Sequence, residues 1–180
     1  MKKTDKKVYK LEVGMIKKVS SLFVKFKPEM VDLSPFEMFE KDVLQVGNVL
    51  DTHQIEFFAN ESKKLLTQCK NYSAVVYVFY KEARRRLTKV ESIFILGKAE
   101  KEWMKKQKVY FDQNENYKYK NITDSIRTAL LSVNPEVEEA CILKLKWEAL
   151  DKWFSDTFRD LENSHNWYKK LFDKINRNLD

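Results

Sequence analysis

From Pro35 to Pro135 the chain carries no other proline, and Gly47 and Gly97 are the only glycines in that span. Proline removes an amide donor and clashes with the preceding helical turn, and glycine is what tight turns most often require. So long a stretch with so few breakers favours long helices over a many-turned sheet. Apolar residues repeat there in sevens. Ile55, Ser62, Cys69, Val76, Ala83 and Val90 form one row. Phe58, Leu65, Tyr72, Phe79, Arg86 and Ile93 form a second, with Arg86 on the packing seam. Beyond Pro135 a third row reads Ala140, Trp147, Phe154, Leu161, Tyr168 and Ile175, widened by Leu143, Leu150, Phe158, Leu171 and Phe172. Sustained heptads mean helix packed on helix. The expected fold is mainly α: long helices in a hairpin or bundle. Val75, Val78, Phe94, Ile95 and Leu96 lie off the seam. A helix apolar on several sides needs more than one neighbour, which self-association into a homo-oligomer supplies, and which a monomeric bundle also could.

Local signals place the helix ends. In Ser34-Pro35-Phe36-Glu37, Ser34 reads as a cap, Pro35 as the first helical residue and Glu37 as the return half of a capping box. That short helix spans 35–46 and stops at Gly47-Asn48. Asp51 and Gln54 have capping-box spacing and open the long helix, which Gly97 weakens locally. Polar Asp112–Asn116 predicts a loop over about 109–121. A short helix begins at Thr123 or Asp124 and ends near Val133, and Asn134-Pro135-Glu136 starts the last one. Asn163-Ser164-His165-Asn166 predicts a break or kink in it. Upstream, period-two alternation at 8–13 and 22–26 predicts a small β-hairpin around Gly14. Residues 1–50 therefore read as an N-terminal extension and 51–180 as a helical domain.

Cys69 and Cys141 stand far apart at apolar helical positions, which fits reduced core thiols in a cytoplasmic protein better than a disulfide framework. No apolar run of signal or membrane-spanning length occurs.

The net charge of +7 is unevenly spread. Residues 1–27 hold nine lysines against Asp5 and Glu12, and residues 81–120 hold 12 Lys/Arg against 6 Asp/Glu. Residues 28–80 and 121–180 are net acidic. Two basic regions against an acidic remainder point to a polyanionic partner, and the acidic faces are candidates for self-assembly or protein partners. Within 81–120, Lys81, Arg84, Arg85 and Lys89 can share one side of a helix, and Lys98, Lys101 and Lys105 another, with Lys106 beside them. Tyr117, Lys118, Tyr119 and Lys120 then alternate rings with cations, next to Tyr110 and Phe111. Cations that track phosphates beside rings that stack on bases are what single-strand binders combine. No helix-turn-helix or zinc module is present to favour duplex DNA. A solvated basic face on a structural helical assembly accounts for the charge but needs no such rings.

Nothing in the chain calls for catalysis. His53 sits at a helix start and His165 in a polar break. No zinc-ligand spacing, glycine-rich phosphate loop or nucleophile elbow occurs. Glu138-Glu139 and Glu100/Glu102 read as solvated charge, so a nuclease would lack its carboxylate cluster. No metal or other cofactor is expected, and no enzymatic activity.

From about Gln54 to Asp180 the order of signals is similar to that of the phage UvsY-type recombination mediators. The residues that carry the likeness are Thr123-Asp124-Ser125-Ile126-Arg127, then Asn134-Pro135-Glu136-Val137, then the long helix with Asn163 and Trp167-Tyr168-Lys169-Lys170. Lys98-Ala99-Glu100-Lys101-Glu102-Trp103 resembles the family's basic DNA-binding helix, with Glu100 where that pattern carries a cation. The resemblance implies a helical protein without a catalytic site that assembles as a ring of several copies and binds single-stranded DNA. It implies two protein partners: a single-strand-binding protein to be displaced and a strand-exchange recombinase to be loaded. A phage-encoded chain of this kind would work in the bacterial cytoplasm. Arg84, Arg85, Lys101, Lys105 and residues 117–120 are the strongest candidates for DNA contact.

Overall fold

The computed structural model describes residues 10–12, 22, 23, 25–45, 50–113 and 123–177, with side chains except at 45, 98–100 and 109–113. The fold is mainly α. Its helices are α1 (Ser34–Gln45), α2 (Thr52–Phe94), α3 (Glu100–Gln113), α4 (Asp124–Ser132) and α5 (Pro135–Arg177). A 3-10 turn at Pro28–Met30 precedes α1, and a π-helical stretch, Ile95–Ala99, joins α2 to α3. The chain divides into two compact units, Met1–Phe79 with Trp147–Asp180, and Tyr80–Lys146. The boundaries fall inside the two longest helices.

In the first unit the heptad rows are the core. Ile55, Phe58, Leu65, Cys69, Tyr72, Val76 and Phe79 of α2 are buried, as are Trp147, Phe154, Leu161 and Tyr168 of α5. The two helices run antiparallel. Phe58 stacks on Tyr168 (centroids 5.3 Å apart), Tyr72 meets Phe154 edge-on (5.7 Å), and Phe79 stacks on Trp147 (4.8 Å, 12° between planes). The Cys69 thiol donates to the Phe154 carbonyl at 3.3 Å. Burial pushes that thiol up to about 12, so it stays protonated as a core group rather than a nucleophile. α1 lies on this pair through Phe36, which packs against Tyr72, Trp153 and Phe154, and through Phe39, which meets Phe58.

Two of the expected caps form. Asp51 Oδ1 accepts from the Gln54 amide at 2.7 Å while Gln54 Oε1 accepts from the Asp51 amide at 3.0 Å, a reciprocal capping box. Asn134 Oδ1 accepts from the Glu136 and Val137 amides at 3.0 and 3.1 Å. α1 is capped differently from the expectation. Ser34 is already helical, and its amide and hydroxyl both donate to Asp32 Oδ1, at 3.1 and 2.7 Å. An aspartate two residues upstream competes for those donors through an Asx-type turn, and Ser34 is left as a donor, not a cap.

Three further expectations are corrected. Among the described residues no β-strand forms. The Lys25 and Phe26 amides donate to the Leu22 carbonyl at 2.9 and 2.8 Å, the bonding of a helical turn. Phe23 and Phe26, three apart, are the buried pair and stack on Phe79, with Phe26 also on Trp147. The period-two pattern of Leu22, Val24 and Phe26 was coincidental with that spacing. Gly14 and the rest of the expected hairpin, apart from 10–12, lie outside the described residues. Second, residues 109–113 are helical, not loop, and 114–122 lie outside the described residues. Third, α5 runs unbroken through Asn163–Asn166. His165 Nδ1 lies 3.1 Å from the Ala59 carbonyl and 3.3 Å from Ser62 Oγ, while Ser62 Oγ donates to the same carbonyl at 3.0 Å. A carbonyl only accepts, so the proton sits on Nδ1. His165 of the polar quartet holds α5 to α2, and the helix does not end there.

Candidate nucleic-acid interface

The second unit carries the basic segment. α2 continues through it, and Lys81, Arg84, Arg85, Thr88, Lys89 and Ser92 line one shallow, open concavity on its surface. These positions are spaced i, i+3, i+4, i+7, i+8 and i+11, which is one face of an α-helix. At about 1.5 Å per residue the row is roughly 17 Å long. That length matches about five phosphates at the roughly 3.4 Å axial spacing of one strand in a duplex. Thr88 Oγ1 donates to the Arg84 carbonyl (3.2 Å) and Ser92 Oγ to the Thr88 carbonyl (2.8 Å). The hydroxyls therefore turn back onto their own helix, and the face keeps small spacers between its cations.

The four cations are not equivalent. The Arg85 guanidinium is clamped by Glu82, with Nε donating to Oε2 and Nη2 to Oε1, both at 2.9 Å. Arg86 Nε donates to the same carboxylate at 3.4 Å. The Glu82 side chain is only 15% exposed, against 69% for Arg85. The hydrogen bond from Arg85 holds the Glu82 carboxyl below its ordinary range, with the Arg85 charge and Arg86 adding to it. Two of the five Arg85 N–H donors are thus committed to Glu82 before any phosphate arrives. Arg84 and Lys89 are exposed and have no ion-pair partner among the described residues. The Lys81 ammonium is exposed and sits 5.8 Å from the Tyr80 ring centroid. Arg86 occupies the expected seam position but stays half-exposed, because its charge needs Glu82 and water together.

The remaining basic candidates are not on this concavity. Lys101, Lys105 and Lys106 are exposed on α3. Lys98 falls in the π-helical stretch, so the α-helical count that would align it with Lys101 and Lys105 does not run through it. Tyr117, Lys118, Tyr119 and Lys120 lie outside the described residues. Glu82 was missed as part of the site, although a carboxylate three residues before Arg85 and four before Arg86 is a readable helical ion-pair signal.

No family model, curated protein or solved structure matches the chain. Among the described residues no group of three His, Cys, Asp or Glu side chains could hold a metal ion. No helix among them is long and apolar enough to cross a membrane. His53 is exposed, and His165 is committed to Ala59 and Ser62.

The Glu82 clamp makes a pH prediction. A carboxyl whose folded-state pKa is depressed contributes stability above its unfolded value and loses it as pH falls through the folded one. Wild type is therefore expected to be more stable than Glu82→Gln at neutral pH. The gap should close as pH drops below the ordinary glutamate value of about 4.3. Urea titrations of both proteins across that range check it, and a gap that stays constant at all pH values contradicts the clamp.

Proposed function

We propose that this protein binds single-stranded DNA along the exposed face of α2 and acts as a recombination mediator. In that role it helps a strand-exchange recombinase onto DNA covered by single-strand-binding protein. The observation that supports it best is the Lys81–Ser92 row, where cations recur at helical spacing on one open surface with no apolar residue among them. Phosphate binding asks only for cations that follow a backbone, and mobile basic side chains on a helix meet that need. The mediator role, the two protein partners and the ring of copies come from the UvsY-type resemblance. The Tyr117–Lys120 run supplies the stacking half of the reading at the level of sequence.

A structural helical assembly is the second reading. It is favoured by the apolar side chains that the second unit leaves exposed, among them Ile93, Leu96, Met104, Val133, Ile142 and Leu145. The two readings separate in one experiment, the mass of the protein in solution with and without a single-stranded oligonucleotide. An oligomer that gains the mass of bound DNA at physiological salt is expected. An oligomer that ignores DNA supports the assembly reading and overturns the mediator.

A further inference from the structure

The first unit has a groove that neither reading uses. α1 and the C-terminal half of α5 enclose a cavity of about 360 Å³, lined by Phe36, Phe39, Val43, Leu44, Trp153 and Leu161. Exposure rises along α1 from 4% at Phe36 and 7% at Phe39 to 77% at Leu44, so the apolar row continues where its covering does not. The α1 residues are spaced i, i+3, i+7 and i+8. On α5, Trp153, Asp156, Thr157, Asp160, Leu161 and Ser164 are spaced i, i+3, i+4, i+7, i+8 and i+11. Two helices thus turn one full face each toward the same space. That is the receiving half of helix-in-groove recognition, where the missing helix inserts apolar side chains at i, i+3, i+4 and i+7.

The charge around the groove selects the occupant. Glu40, Asp156 and Asp160 line it, and among the described residues no Lys or Arg does. Arg159 reaches Asp156 from outside the lining, Nη2 donating to Oδ1 at 3.2 Å, and Glu40 and Asp160 have no ion-pair partner among the described residues. We infer that this groove docks a basic amphipathic helix of a partner protein, its apolar face on Val43, Leu44 and Trp153 above the buried floor of Phe39 and Leu161, and its lysines or arginines against the three carboxylates. An acidic segment would meet like charge at the rim, which suppresses wrong partners as effectively as attraction selects right ones. The inference stands apart from the polyanion reading, since the two surfaces share no residue.

Fluorescence anisotropy of two labelled synthetic peptides of about five helical turns, titrated with the full chain, tests it. One peptide has leucines at i, i+3, i+4 and i+7 with lysines elsewhere, and the other carries glutamates in place of the lysines. The basic peptide is expected to bind and the acidic one not. Glu40→Lys with Asp160→Lys should weaken the basic peptide at least about tenfold. Glu138→Lys with Glu139→Lys, which reverses as much charge outside the groove, should change binding less than about twofold. Leu44→Asp separates the apolar contribution. It adds a negative charge that a lysine-rich peptide would welcome, so weaker binding by this variant comes from the lost apolar contact alone. Leu44 is exposed, and circular dichroism of the variant should stay that of the wild type. Equal loss from the two charge reversals, equal binding of the two peptides, or tighter binding by Leu44→Asp overturns the inference. So does a failure of both peptides to bind. If, in that case, Leu44→Asp lowers the sedimentation mass, the groove belongs to a second copy of the chain.

Discussion

Replacing Trp147 with alanine is expected to cost about 3–5 kcal/mol of unfolding free energy. The side chain is fully buried, stacked face to face on Phe79 and approached by Phe26. It joins the N-terminal turn, α2 and α5, so its removal leaves a cavity with walls from three segments, and rigid helices cannot all move in to fill it. Trp147→Phe separates packing from polarity. The Trp147 indole N–H is buried and has no hydrogen-bond partner among the described residues. An unmet buried donor carries a desolvation cost of about 1–3 kcal/mol, and phenylalanine removes that donor together with part of the ring volume. The two changes oppose each other, and Trp147→Phe is expected to cost less than about 1.5 kcal/mol. Urea denaturation of the three proteins checks both values. A Trp147→Ala variant within about 1 kcal/mol of wild type would mean that the stack is not central to the core.

The combined Lys81→Ala, Arg84→Ala and Lys89→Ala variant is expected to bind a single-stranded oligonucleotide about 10- to 100-fold more weakly than wild type at fixed moderate salt. These three cations lie on the α2 face outside the Glu82 clamp, and all are exposed, so their removal leaves the core untouched. Arg85→Ala alone should do less than Arg84→Ala, because Glu82 already holds two of the Arg85 donors. Glu82→Gln works in the opposite direction. It takes one negative charge from beside the row and loosens the guanidinium fork, and affinity is expected to rise about threefold. Damage to the fold lowers binding but does not raise it, so the gain from Glu82→Gln distinguishes a specific electrostatic face from general disruption.

The heptads were legible because burial in a helical pair recurs at a fixed period. Phe58, Tyr72, Phe79, Trp147, Phe154 and Tyr168 could be placed in the core without knowing which faces which. Asp51/Gln54 and Asn134 were legible because a cap acts within three residues of itself. The misreadings share a cause. His165 looked like a helix breaker, but its partner, the Ala59 carbonyl, is distant in sequence and close only after α2 and α5 pair. Phe23 and Phe26 belong to a helical turn because Phe79 and Trp147 receive them, and that reception overrides a local strand pattern. The α1–α5 groove could not be read at all, since its two walls are joined only by the fold. In the basic segment the sequence showed that Lys81, Arg84, Arg85 and Lys89 share a face but ranked Arg85 with Arg84. What separates them is the Glu82 fork on Arg85, a local i, i+3 pair whose spacing was readable and went unread.

The salt dependence of single-stranded DNA affinity, measured for wild type and for the Lys81/Arg84/Lys89→Ala variant, tests the central claim most directly. Each phosphate neutralised on a single strand contributes about −0.7 to the slope of log K against log salt. Wild type should give a clearly negative slope, and the variant a slope shallower by roughly 2, with the two lines converging as salt rises. Parallel lines, or a wild-type affinity that salt does not change, would contradict DNA binding through this face of α2.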